Sequence, residues 1–184
     1  MKKLLFTILT FAFAVNMSAQ RLALSTNVAS DFLMVPSVGA EMTVGNRATL
    51  GLKAFGGYKP WGQDMKMVGV QPEWRYYFSG RPMHSFFVGV GALAGFYDIT
   101  YKKKVYDGVA VGAGMTFGYV MNITKRLFVD FHGGCGAVAF DRKEYYLGDA
   151  YNSDYIIQGQ NRTNAKGYYI MPTSIGISVS YIIM

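Results

Sequence analysis

A chain of 184 residues suits one domain, and its single cysteine, Cys135, excludes an intramolecular disulfide framework. Aromatic residues make up 16% of it and glycines number 22, yet only 16% of residues are charged, against about 25% in soluble domains. The formal charge of +7 falls to +5 without Lys2 and Lys3, too small an excess to argue for nucleic acid.

The chain opens with Lys2 and Lys3, continues as an apolar run from Leu4 to Val15, and reaches Asn16-Met17-Ser18-Ala19. That layout predicts a secretory signal peptide over 1–19, cut after Ala19, with 20–184 as the mature domain. The run is shorter than the ~20 apolar residues of a spanning helix.

Beyond it the pattern is alternation with a period of two. Weaker strands are expected at Leu22 to Val28, Val38 to Val44 and Ala48 to Gly56, with Asn27, Glu41 and Lys53 on the inner face. From Val68 to Phe78, Val68, Val70, Trp74, Tyr76 and Phe78 oppose Gly69, Gln71, Glu73, Arg75 and Tyr77. Phe86 to Tyr97 behaves similarly. Between Gly108 and Met121 the odd residues are apolar and the even ones mostly glycine; a helix there would lose about 1 kcal/mol at each glycine. Leu127 to Phe140 places Asp130 and His132 inside, and Ile175, Ile177, Val179, Tyr181 and Ile183 form one face of a final strand.

Alternation over ~10 residues, repeated eight times, is the pattern of strands that face lipid on one side and a polar lumen on the other. The expected fold class is all-β: an eight-stranded antiparallel transmembrane β-barrel. Its connections should alternate. Gly45 to Arg47, Ser79 to Ser85 and Asn122 to Arg126 form the short inner set. Tyr58 to Met67, Asp98 to Asp107 and Asp141 to Gly167 form a long outer set, with Asp31 to Ser37 a shorter outer loop. Tyr58, Trp61, Phe96, Tyr97, Tyr168 and Tyr169 lie near strand ends, where interfacial aromatic girdles are expected.

The stretch Gln71-Pro72-Glu73-Trp74-Arg75-Tyr76-Tyr77-Phe78 resembles a domain-of-unknown-function family of small outer-membrane proteins from gut and oral Gram-negative anaerobes. Leu24 to Asn27, Pro36 to Glu41 and Tyr58-Lys59-Pro60-Trp61 agree with it. The resemblance covers the N-terminal half of the mature chain and implies an eight-stranded barrel in the outer membrane. It implies no catalytic residue.

The inner polar set is Glu41, Lys53, Gln71, Glu73, Arg75, Asp130 and His132. Charges inside a narrow barrel must be paired, because an unpaired buried ion costs several kcal/mol. The expected pairing sets Glu41, Glu73 and Asp130 against Lys53 and Arg75, with His132 nearby, as a salt-bridged plug. Eight strands enclose a space that side chains fill, so a small channel is the lesser alternative.

A lipid A-modifying enzyme is another alternative. It needs a serine within reach of a base, which Ser178 or Ser180 could supply to His132 only in one strand register. Cys135, aligned with Phe131 and Val129, reads as an inert outward hydrophobe. No metal set or cofactor site is expected, and Gly112 to Gly118 lacks the helix that a nucleotide-binding loop requires.

Outside the barrel, Lys102, Lys103 and Lys104 between Tyr101 and Tyr106 form a candidate binding loop for the phosphates or sugars of lipopolysaccharide, or for a surface or envelope protein. The expectation is a monomeric, non-enzymatic outer-membrane protein, structural or adhesive through its outer loops.

Overall fold

The computed structural model describes residues 21–148 and 163–184, with the backbone of 156–157 and 160–161. The expected signal peptide and most of the loop after β7 lie outside the described residues.

The chain forms β1 (Leu22–Asn27), a one-turn helix α1 (Val28–Phe32), β2 (Ser37–Thr43) and β3 (Ala48–Tyr58). A 3-10 turn at Pro60–Gly62 leads to β4 (Met65–Tyr77), β5 (Ser85–Tyr101), β6 (Lys104–Asn122) and β7 (Leu127–Tyr146). Two-residue strands β8 (Ile156–Ile157) and β9 (Gln160–Asn161) pair with each other, and β10 (Ala165–Ile182) completes the wall. Eight strands close in the order β1-β10-β7-β6-β5-β4-β3-β2, each antiparallel to its neighbours. Closure gives the first and last strands each other as partners, with Leu24 opposite Tyr181 and Asn27 opposite Ser178.

Small residues inside allow the narrow wall to be filled. A Cβ on Gly89 would sit 2.8 Å from Glu73 Oε1, and one on Gly118 would sit 2.6 Å from the Phe87 ring. Large inner side chains lie over the glycines of the adjacent strand.

Two prolines interrupt the ladders where the chain tolerates it. Pro72 has no N–H, and the β4–β5 pairing skips from Val70–Ala94 to Glu73–Gly91. Pro172 precedes a one-residue bulge at Thr173, close to where β10 loses β1 as a partner, a place where proline is permitted. The bulge exchanges the faces of β10, so Tyr168 and Ile170 point outward above it and Ile175 and Ile177 below it.

Strand lengths are unequal. β1 and β2 have 6 and 7 residues, whereas β5, β6, β7 and β10 have 17, 19, 20 and 18. The short turns and the C-terminus lie together at one end, so the excess of about ten residues, ~30 Å along a strand, rises at the other as a tall half-wall. The expected loop at Asp98 to Asp107 is therefore corrected. Both strands run on to a two-residue turn at Lys102 and Lys103, with φ of 48° and 64°. The expected loop from Asp141 to Gly167 is narrowed likewise, because β7 runs on to Tyr146 and β10 begins at Ala165, and the first outer loop contains α1. Asn27 starts that helix by accepting the N–H groups of Ala29 and Ser30.

The turn end is packed with apolar side chains. Ala23, Tyr77, Phe87, Val120, Phe128 and Ile182 form a buried cluster, and Met83 folds into it from the β4–β5 turn.

Candidate functional site

Above that cluster, the inner face carries charge. Glu73 and Arg75 are two residues apart on β4 and so share a face, which lets the guanidinium grip its own strand's carboxylate: Nε and Nη2 donate to Glu73 Oε2 at 2.9 and 2.8 Å. The other nitrogen, Nη1, crosses the lumen to Asp130 Oδ2 on β7 at 2.7 Å and to Glu41 Oε2 on β2 at 3.4 Å. One arginine thus ties three strands together, and its guanidinium carbon lies 4.5 Å from the centroid of the Phe87 ring.

Glu41 is satisfied by groups that charge counting does not find. Thr49 Oγ1 and Tyr77 Oη donate to Glu41 Oε1 at 2.6 and 2.7 Å. The only advance signal for either was parity, which had placed Tyr77 on the inner face.

The expected partner scheme changes in detail. Lys53 is half-buried on the inner wall but makes no ion pair among the described residues, so Arg75 alone holds all three carboxylates. Gln71, opposite Lys53 in the register, lies beside the charges and reaches across to the carbonyl of Thr173 at 3.5 Å, bridging β4 to the bulge of β10. His132 is buried, with Nδ1 3.5 Å from Asp130 Oδ1.

Ser178 sits opposite Asp130 and Gly176 opposite His132, so the register brings an acid, an imidazole and a hydroxyl close together. All three residues are almost wholly buried, and neither His132 ring nitrogen nor Ser178 Oγ hydrogen-bonds within the described residues. No group of metal-binding type is present among the described residues.

A second constellation lies on the inner face of the tall half-wall, and the sequence reading missed most of it. Arg142 on β7 donates to Glu144 Oε1 at 2.7–2.8 Å and is flanked by two rings, Phe140 at 4.2 Å and Tyr106 at 5.1 Å from its guanidinium carbon. Phe140 stacks on Tyr169 of β10, centroids 5.0 Å apart. Lys104 completes the group, 2.7 Å from Glu144 Oε2 and over the Tyr106 ring.

Gly108, opposite Arg142, leaves room for it: a Cβ there would collide with the Arg142 backbone. The hydrogen bonds from Lys104 and Arg142 hold the Glu144 carboxyl below its ordinary range. Partial burial works against the Arg142 charge, but contacts with Glu144, Tyr97 and Tyr169 outweigh it and raise its pKa. Lys102 and Lys103 cap this wall at the turn, and Lys102 lies over Tyr101.

The family model described as a protein of unknown function (DUF3575) matches residues 5–183. Neither the curated proteins nor the solved structures contain a match.

Proposed function

We propose that this chain, which belongs to the DUF3575 family of proteins of unknown function, is a monomeric outer-membrane β-barrel with a sealed lumen that acts by surface binding at its tall rim and carries out no catalysis. The outer wall is the observation that carries the reading. Leu52, Val70, Val90, Met115, Phe117 and Ile175 all point outward with 45–69% of their surface exposed. Soluble monomers rarely expose contiguous apolar patches beyond a few hundred Å²; lipid accepts such a surface.

Charged rows bound the band. Arg47, Arg81, Lys125 and Arg126 are exposed at the turn end. At the other end the register aligns Lys66, Asp98, Asp107 and Lys143 across four strands, and Lys166 pairs with Asp141 at 2.8 Å. Between the rows β5 runs from Phe86 to Phe96 and β7 from Val129 to Ala139, close to the ~9–11 residues with which a tilted strand crosses hydrocarbon. Tyr58, Trp61, Phe96 and Tyr168 lie exposed near the tall end and suit an interfacial girdle, whereas Tyr97 and Tyr169 line the inner wall. A leader over 1–19 would supply export.

The sealed lumen rests on Arg75 and the apolar cluster beneath it. Cell fractionation with gel electrophoresis of unheated and boiled samples tests the whole reading. A band in the outer membrane that migrates faster before boiling is expected; a soluble protein without a shift would overturn it.

The proximity of Asp130, His132 and Ser178 favours a second reading, a lipid-modifying enzyme. Burial of all three speaks against it. An unchanged lipid A mass spectrum in Ser178→Ala and His132→Gln strains would remove it.

A further inference from the structure

We infer that the inner face of the tall half-wall binds phosphorylated sugars carried by the lipids beside the low wall. The inference rests on the membrane reading above and adds a site and a ligand class to it.

Charge is the first argument. Among the described residues, Lys102, Lys103, Lys104 and Arg142 meet only Glu144 on this face and its turn, an excess of three positive charges. The outward face at the same height is balanced, with Lys66, Lys143 and Lys166 against Asp98, Asp107 and Asp141. A concave surface of one sign concentrates anions, and it does so on the inner side alone.

Chemistry is the second. Tyr169, exposed beside Phe140 and Tyr106, whose rings already carry the Arg142 guanidinium, presents a flat ring suited to the C–H face of a sugar. Arg142, whose Nε and Nη2 are held by Glu144, brings a fixed positive charge to the same face, and a phosphate is drawn to that charge. Neutral sugars would use the rings and leave the cations idle.

Access is the third. β1 ends at Asn27 and β2 begins at Ser37, below this wall, whereas β3 and β4 rise to its lower rows, with Gly57 and Met67 aligned with Tyr97, Gly108 and Arg142; among the described residues no strand of the low wall continues above Met65. Tyr169 keeps 53% of its surface exposed. The crown of the low wall is apolar: Phe32, Leu33, Met34 and Trp61 are 52–73% exposed, and Phe32 packs edge-on against Trp61. Lipid therefore reaches the top of the low wall, and its headgroup sugars lie above it, opposite the Arg142 surface.

The test uses the full-length protein folded in detergent micelles. Two probes are compared by calorimetry: the water-soluble phosphorylated oligosaccharide released from lipopolysaccharide by deacylation, and the same oligosaccharide after phosphatase treatment. Phosphatase treatment should weaken binding tenfold or more, and Arg142→Gln should weaken binding of the phosphorylated probe to a similar degree. Equal affinity for the two probes, or an Arg142→Gln protein that binds normally, would overturn the proposal.

Glu144→Gln supplies a control for damage to the wall. It keeps the shape and an oxygen that accepts from Arg142 while removing the one negative charge of this face among the described residues, so it should tighten binding about threefold; weaker or unchanged binding counts against the site. Vesicle flotation of the same preparation separates the two readings. A protein that floats yet binds neither probe loses the site alone. One that does not float loses the membrane reading, and the lipid-linked source of the sugar with it.

Discussion

Replacing Arg75 by Met would leave Glu41, Glu73 and Asp130 facing one another without their shared cation. Removing one member of a buried ion set costs about 3–5 kcal/mol, so the urea midpoint of the folded barrel in detergent should fall sharply. Arg75→Lys should also lose stability, because an ammonium cannot grip Glu73 through two nitrogens while reaching Asp130. A midpoint unchanged in both variants would mean that Lys53 can take over the carboxylates.

Glycine makes a second case at this scale. Gly118→Ala would press a methyl group into the Phe87 ring and the Phe131 carbonyl, and overpacking of this kind costs about 1–3 kcal/mol. Gly133→Ala meets nothing within 4 Å and should stay within about 0.5 kcal/mol of the parent. Equal effects from the two in the same urea titration would refute the packing role. Parity alone had put every charged lumen residue on the inner face. It did not say that Arg75 would satisfy three carboxylates while Lys53 satisfied none, since that depends on how far each side chain reaches across the closed wall.

Among the elements, the β5–β6 hairpin differs most from its expectation. Its upper part reads as a loop because the polarity of alternation reverses there. Below the rim the apolar residues face outward and glycines inward. Above it Asp98, Asp107 and Lys143 face outward while Tyr97, Tyr106 and Phe140 face inward. On the proposed membrane reading the strand leaves lipid for water there, which changes the face that must be polar, and a search for unbroken alternation stops at the crossing.

The turn at its tip makes a separate prediction. Lys102 and Lys103 both have positive φ, which lysine tolerates poorly and Asn-Gly favours in a two-residue hairpin. Lys102→Asn with Lys103→Gly should stabilise the hairpin by about 0.5–1 kcal/mol while weakening binding of the phosphorylated oligosaccharide. Hydrogen exchange at Tyr101 and Lys104 reads the first effect and calorimetry the second. Parallel movement of the two would contradict the assignment of those lysines to binding.

The whole molecule is a wall that is tall on one side and low on the other, sealed below. Apolar side chains fill the turn end, and the Arg75 cluster spans the lumen above them. Purified protein in planar bilayers should therefore show no unitary conductance, since eight strands enclose only enough room for these side chains. Discrete conductance steps would show that the plug moves.

Local chemistry was enough to determine much of this protein. A period of two, glycines facing large residues and turn-forming breaks specify eight strands and the face each side chain occupies, because the pleat leaves only two choices. Tertiary structure decided what depends on distance across the barrel and on strand length. The triple engagement of Arg75 needed β2, β4 and β7 brought around one lumen. The aromatic and cationic face around Arg142 needed β6, β7 and β10 to run on past β1, and its members are scattered from Tyr97 to Tyr169, where no local spacing marks them as a set.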